Sequence, residues 1–157
     1  EGMRSRATYK LEELDEAERL IRPGMVIVDL GAAPGGWSQY VAKVLNGKGS
    51  VYAMDLLPMD GITGVDFIQG DFREDGPFQE LLQRLAGRPV DLVMSDMAPN
   101  MSGIDAVDQP RQMHLVELAL DFATRALRPG GTFLAKVFQA AGFEELVKRT
   151  RREFAQV

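Results

Sequence analysis

The run Met25-Val26-Ile27-Val28-Asp29-Leu30 is apolar but for one aspartate, and it stops at Gly31-Ala32-Ala33-Pro34-Gly35-Gly36. An apolar run this short, bounded by glycine and proline, reads as a strand buried on both faces, as in a parallel sheet. The residues after the loop, from about Trp37 to Leu45, read as a helix. Parallel strands need long crossovers, usually helical, that cover the sheet, so this one junction commits the chain to a layered α/β architecture. The glycines let the backbone turn sharply and approach a ligand with no side chain between. The helix start offers free amide donors. A tight strand-to-helix turn with no ligand is the plainer reading of the same residues.

The alternation repeats along the chain. Residues 5–21 form a helical pattern with Leu11, Leu14, Leu20 and Ile21 on its apolar side, ended by Arg22-Pro23-Gly24. Strands are expected at 50–55, 66–69, 90–95 and 132–138, and helices at 77–85, 110–127 and from Gly142 onward. Residues 97–110 read as a loop, and Arg128-Pro129-Gly130-Gly131 as a helix stop. No internal repeat or low-complexity linker divides the chain, so residues 1–157 read as one domain. The fold class expected is α/β, a doubly wound Rossmann-like sheet with helices on both faces. In such sheets a ligand lies beyond the carboxyl ends of the strands, where the strand order reverses.

Composition narrows the chemistry. The chain has no cysteine and one histidine, His114. Disulfides, thiolate metal sites and cysteine nucleophiles are excluded, and a Ser-His-Asp triad or histidine-rich metal site has little to draw on. No metal is expected. No apolar run approaches the roughly 20 residues of a membrane helix, and Glu1-Gly2-Met3-Arg4 lacks a signal-peptide pattern. A cytoplasmic location is expected. Net charge is −5, yet residues 1–10 carry +2 and residues 148–157 carry +3, leaving −10 between them. Basic ends around an acidic body are either solvated helix faces or a footprint for a polyanion.

The groups that can do chemistry fall at the strand ends. Asp29 and Asp55 end the first two strands, Asp71 follows the third, Asp96 follows the fourth, and Lys136 lies in the fifth. The loop Gly31 to Gly36 matches neither G-x-G-x-x-G nor the P-loop pattern, so a ligand with a carboxylate and no phosphate fits it better. Asp55, about 20 residues past the loop, is placed to accept from two ribose hydroxyls. Asp71 can accept from a base amine, or serve only as an Asx-turn residue. Asp96 would sit favourably beside a sulfonium or hold a substrate hydroxyl. Asn100 and Ser102 are substrate-contact candidates with turn formation as the alternative. Lys136 interrupts a strand expected to be buried, where an amine can take a proton from a hydroxyl or stabilise a forming alkoxide. A snorkelling strand-end lysine is the alternative.

Asp29-Leu-Gly-Ala-Ala-Pro-Gly-Gly-Trp37, Asp55-Leu-Leu-Pro-Met59, Gln69-Gly-Asp-Phe-Arg73, Met94-Ser-Asp-Met-Ala-Pro-Asn-Met-Ser-Gly103 and Lys136-Val-Phe-Gln139 resemble, in order and spacing, the FtsJ/RrmJ family of ribose 2′-O-methyltransferases. Arg4-Ser-Arg-Ala-Thr-Tyr-Lys10 resembles that family's N-terminal helix, and the likeness spans essentially the whole chain. The resemblance implies S-adenosyl-L-methionine as cofactor. It places Gly35, Trp37, Asp55, Asp71 and Asp96 on family positions at the cofactor, with Asp29 and Gly31 in the same motif. It assigns Lys10, Asp96 and Lys136 to the first three members of a Lys-Asp-Lys-Glu catalytic set, with Lys136 the principal lysine. The glutamate has no counterpart here, nor have the family's last two strands, so the native protein is expected to continue for several tens of residues.

The implied activity is in-line transfer of a methyl group to a ribose 2′-hydroxyl, with RNA held by basic groups such as Arg4, Arg6 and Lys10. The bacterial-type members act on large-subunit ribosomal RNA, at a uridine, and Asp55-Leu-Leu-Pro-Met-Asp60 resembles that type. The expected partner is therefore large-subunit rRNA, free or within the assembled 50S particle, acted on by a monomer with no membrane attachment. Transfer RNA, as substrate of the same family, and a non-catalytic RNA-binding module are the alternatives. A nicotinamide-dependent oxidoreductase would need the missing G-x-G-x-x-G.

Overall fold

The computed structural model describes residues 7–33, 35–96 and 105–136, with side chains described from Leu11 in the first helix and from Met113 in the last. The elements run α1 (Ala7–Glu18), β1 (Val26–Leu30), α2 (Gly36–Leu45), β2 (Ser50–Asp55), β3 (Val65–Gln69), α3 (Asp75–Leu85), β4 (Val90–Ser95), α4 (Asp105–Ala126) and β5 (Leu127–Ala135). The five strands form one parallel sheet in the order β3-β2-β1-β4-β5. The chain builds outward from β1 through β2 to β3, then crosses back to lay β4 against the other side of β1. The order therefore reverses between β1 and β4, which is where a doubly wound sheet opens a crevice.

Strand alternation assigns each residue to a face. Val28, Leu30, Tyr52, Met54, Ile68 and Val93 pack with Leu81, Leu85 and Phe122 of α3 and α4. Ile27, Val51, Leu92 and Met94 pack with Leu11 of α1 and Trp37, Tyr40, Val41 and Leu45 of α2. Both layers are sealed: Ile27, Val28, Leu30, Leu92, Val93 and Leu11 have no exposed surface. A side chain of this size contributes about 1.5–3 kcal/mol when fully buried, so both helical layers are held by the central strands. No described helix is long and apolar enough to cross a membrane.

Three expectations shift. Helix α4 begins at Asp105, not Pro110. Pro110 lies in its second turn, where the missing N–H withdraws one helical hydrogen bond. The Arg-Pro-Gly-Gly stop does not precede the last strand; it lies inside it. Leu127 pairs with Val90 and Thr132 with Leu92, so residues 128–131 bulge opposite Asp91. Asp91 fastens the bulge, taking Arg128 Nε on one oxygen and the Val26 N–H on the other at 2.7 Å. Burial raises its pKa, but these donors outweigh that and hold it below the usual range. Finally, β5 ends at Ala135, so Lys136 follows the strand rather than interrupting it, and its side chain is exposed. The expected strand residues Val137 and Phe138, and the helix from Gly142, lie outside the described residues.

Candidate active site

The residues that leave the strands are stitched to the neighbouring strand ends. The N–H groups of Gly31 and Ala32 both donate to Met54 O of β2, at 2.8 and 3.1 Å. Gly70 N donates to Asp55 O at 2.9 Å, Asp96 N to Leu30 O at 3.0 Å, and Lys136 N to Ser95 O at 2.9 Å. Each parallel ladder is thus extended by one residue past its strand. That extension lines up the loop after β1, Asp55, Asp96 and Lys136 along one edge, at the switch point.

The loop after β1 needs its glycines where they stand. Gly31 has φ +77° and Gly35 φ +113°, both in the left-handed region that a side chain disfavours. Gly35 caps α2 and, having no side chain, supplies no side-chain acceptor to the helix start. Asp55 braces the other side of the turn: Oδ2 accepts from Ala33 N and Oδ1 from Leu57 N, each at 2.8 Å. The same carboxylate remains partly exposed, and each oxygen retains a lone pair for a further donor.

Asp96 is half-buried beyond β4. Burial pushes its carboxyl above the usual range, the Lys136 ammonium opposes this, and Asp55 adds to it. A carboxylate so placed gains from any cation brought beside it. Lys136 supplies one; a bound sulfonium or ammonium would supply another.

Other expected site residues lie differently. Asp29 is fully buried, so its carboxylate supports the loop from below and presents no surface to a ligand. It accepts Ser38 Oγ at 2.7 Å on Oδ2, and among the described residues Oδ1 has no partner. Desolvation, only partly offset by Ser38 and reinforced by Asp96 and Asp55, pushes Asp29 up to about 7. Trp37 stands on the first turn of α2, but its side chain is buried with Leu11 and Tyr40. Asp71 takes the turn role that was its alternative: it accepts Arg73 N at 2.9 Å and pairs with the Arg73 guanidinium at 2.7 Å. That arginine holds its carboxyl below the usual range. Lys10 lies on α1, but its side chain is outside the described residues, as are Arg4, Arg6, Asn100 and Ser102.

Two features escaped the motif reading. Ser38 is invisible as a site residue until β1 and α2 fold together, although its position one residue past Trp37 places it in the helix's first turn. Leu56 and Leu57 are 56% and 61% exposed beside Asp55, an apolar ledge next to a ribose-type acceptor. A glycine turn, a partly exposed Asp55, an apolar ledge and a half-buried Asp96 suit a ligand combining a ribose, a flat base and a cationic amino-acid portion.

The FtsJ-like methyltransferase family model matches residues 3–157. The ribosomal RNA large subunit methyltransferase E of Legionella pneumophila (strain Corby) is 57% identical over 157 residues, covering 100% of this chain and 76% of the relative. Its namesake in Alkalilimnicola ehrlichii is 58% identical over 156 residues, covering 99% and 75%. Among solved structures, a Plasmodium falciparum protein named as a ribosomal RNA methyltransferase superposes with TM-score 0.90 at 28% identity, over 98% of this chain and 88% of that one. The MycE methyltransferase of mycinamycin biosynthesis shares the fold, at TM-score 0.58 and 20% identity, over 91% and 35%.

Proposed function

The chain belongs to the FtsJ-like methyltransferase family, and from that premise we propose that it uses S-adenosylmethionine to methylate a ribose 2′-hydroxyl in large-subunit ribosomal RNA, at a uridine. The ribosomal substrate is supported by the two bacterial relatives, both named for methylation of large-subunit rRNA. The uridine and the 2′-oxygen rest on the resemblance of the Asp96, Lys136 and Asp55-Leu56-Leu57 segments. A monomer acting in the cytoplasm, on free rRNA or the assembled 50S particle, completes the reading.

The observation that carries it is the neighbouring placement of Asp96 and Lys136, one residue past adjacent strands, with the lysine's charge acting on the aspartate. When bound, S-adenosylmethionine supplies an electrophilic methyl carbon on a sulfonium. Asp55 would hold its ribose hydroxyls, the backbone of Gly31 to Gly35 its methionine portion, and Leu56 and Leu57 its base. Asp71 serves the adenine side if it yields one oxygen from Arg73. Asp29, Ser38 and Trp37 shape the loop from behind. Lys136 stabilises negative charge forming on the attacking oxygen as its proton passes to solvent water, and Asp96 orients that hydroxyl. Lys10, on α1, supplies a second cation to the RNA. Most of the rate gain comes from alignment of oxygen and methyl.

The experiment is transfer of labelled methyl from S-adenosylmethionine to ribosomal RNA and to transfer RNA, by the wild-type chain and by Lys136→Ala. Label in ribosomal RNA alone, lost in the variant, is the expected result.

A further inference from the structure

Helix α1 carries Lys10 yet belongs to no crossover of the sheet, so something must fix its seat. Its apolar contact is made by Leu11, which is fully buried with Trp37 and Tyr40 of α2. One turn further along lies Asp15, a carboxylate that is itself 91% buried (9% exposed). Its Oδ2 accepts the Tyr40 hydroxyl at 2.9 Å, and its Oδ1 accepts Ile21 N at 2.8 Å. The helix ends over the same residue: Arg19 N donates to Asp15 O at 2.7 Å, and Arg19 takes φ +53°. Asp15 therefore terminates α1, returns the chain toward β1 and ties the helix to α2. Burial and the Asp15 carboxylate push the Tyr40 phenol above its usual range, which keeps the donor protonated.

The tie reaches the site because α2 starts at the glycine loop. Trp37 and Tyr40 are one turn apart on it, and both belong to the same buried cluster as Leu11, the residue after Lys10. We propose that Tyr40 is a positioning residue for the RNA substrate: its hydrogen bond to Asp15 sets the seat of α1 on α2, and so the placement of the turn of α1 that carries Lys10 relative to the glycine loop. The inference rests on α1 facing RNA, as in the function proposed above. Tyr40 touches neither cofactor nor RNA in this role; it acts through the helix.

The test compares wild type, Tyr40→Phe, Asp15→Asn and the double variant in the full chain. Calorimetry reads S-adenosylmethionine affinity, labelled-methyl kinetics read kcat and KM for ribosomal RNA, and hydrogen exchange reads α1 against β1 and β4. Tyr40→Phe is expected to bind cofactor within about twofold of wild type, and to lose roughly tenfold in kcat/KM for RNA, as misplacement of a reacting group does. Exchange should speed up in α1 and stay unchanged in β1 and β4. Asp15→Asn can keep its oxygen on Ile21 N and donate its NH2 to the Tyr40 hydroxyl oxygen, so it should retain most activity. The double variant should be little worse than Tyr40→Phe, because the two residues act as one pair. Wild-type kcat/KM for RNA in Tyr40→Phe would overturn the inference, as would a parallel loss of cofactor affinity and RNA turnover. A wild-type chain that binds S-adenosylmethionine but methylates no RNA would overturn the RNA reading itself, and this inference with it.

Discussion

Ser38 Oγ donates a 2.7 Å hydrogen bond to Asp29 Oδ2, and neither side chain has any exposed surface. The bond closes the strand–loop–helix junction from behind, so the loop's geometry depends on a carboxyl with no exposed surface. Burial pushes that carboxyl up to about 7. Its folded value thus lies above its unfolded one. Between the usual aspartate range and about pH 7 the native state holds a proton that the unfolded state has lost, so this group's contribution falls as pH rises through that window. Asp29→Asn is expected to lie within about 1 kcal/mol of wild type at pH 6, since each keeps the acceptor for Ser38 and buries one neutral donor group, an O–H or an NH2, without a charge. At pH 8 the variant should be the more stable. Urea unfolding of both proteins at the two pH values checks the crossover.

Asp55 carries two loop N–H groups, from Ala33 and Leu57. Asp55→Ala removes both acceptors and the proposed ribose contact together. With charged hydrogen bonds contributing roughly 1.5–3 kcal/mol each, affinity for S-adenosylmethionine should fall at least about tenfold. Calorimetry measures it; unchanged affinity would exclude Asp55 from the cofactor site.

Lys136 is fixed through its backbone N–H to Ser95 O, while its side chain stays exposed. Lys136→Ala should therefore fold normally and bind cofactor within about threefold. Methyl transfer should drop by about a hundredfold or more, the usual range for loss of a group assisting proton transfer. Single-turnover transfer with saturating cofactor separates this from a binding defect.

Gly49 sits at the opposite end of the sheet, before β2, with φ +148°. A Cβ there would stand 2.6 Å from Met25 O, a backbone atom already accepting from Ser50 N. Gly49→Ala should cost about 2 kcal/mol or more, from strain and overpacking together. Methyl transfer per folded molecule should be unchanged, because the clash is remote from the switch point. Thermal unfolding and activity on the same preparation check both halves.

The sheet was legible in the sequence because its signals are local. The apolar runs at 50–55 and 90–95 became β2 and β4 with the expected bounds, and β1 and β3 shifted by one residue at their starts. Asp55 and Asp96 could be placed for the same reason, since a strand end is fixed by its own strand. What could not be read depends on contacts between distant residues. The burial of the Trp37 side chain in one cluster with Leu11 of α1, and the bond from Ser38 to Asp29, arise only when these elements fold together. Lys136 looked buried, but β5 stops one residue earlier and leaves it in the open. The Arg-Pro-Gly-Gly segment has the chemistry of a helix stop, and only the pairing of Leu127 with Val90 makes it a bulge.

The central claim is transfer of methyl to a ribose 2′-oxygen, and alkaline digestion tests it most directly. Alkali cleaves RNA through the 2′-oxygen, so a methylated ribose leaves its 3′ linkage intact. Large-subunit ribosomal RNA labelled from S-adenosylmethionine by the wild-type chain should release its label in an alkali-resistant dinucleotide beginning with uridine. Label released in single nucleotides, as base methylation would give, or no label in the RNA at all, would contradict it.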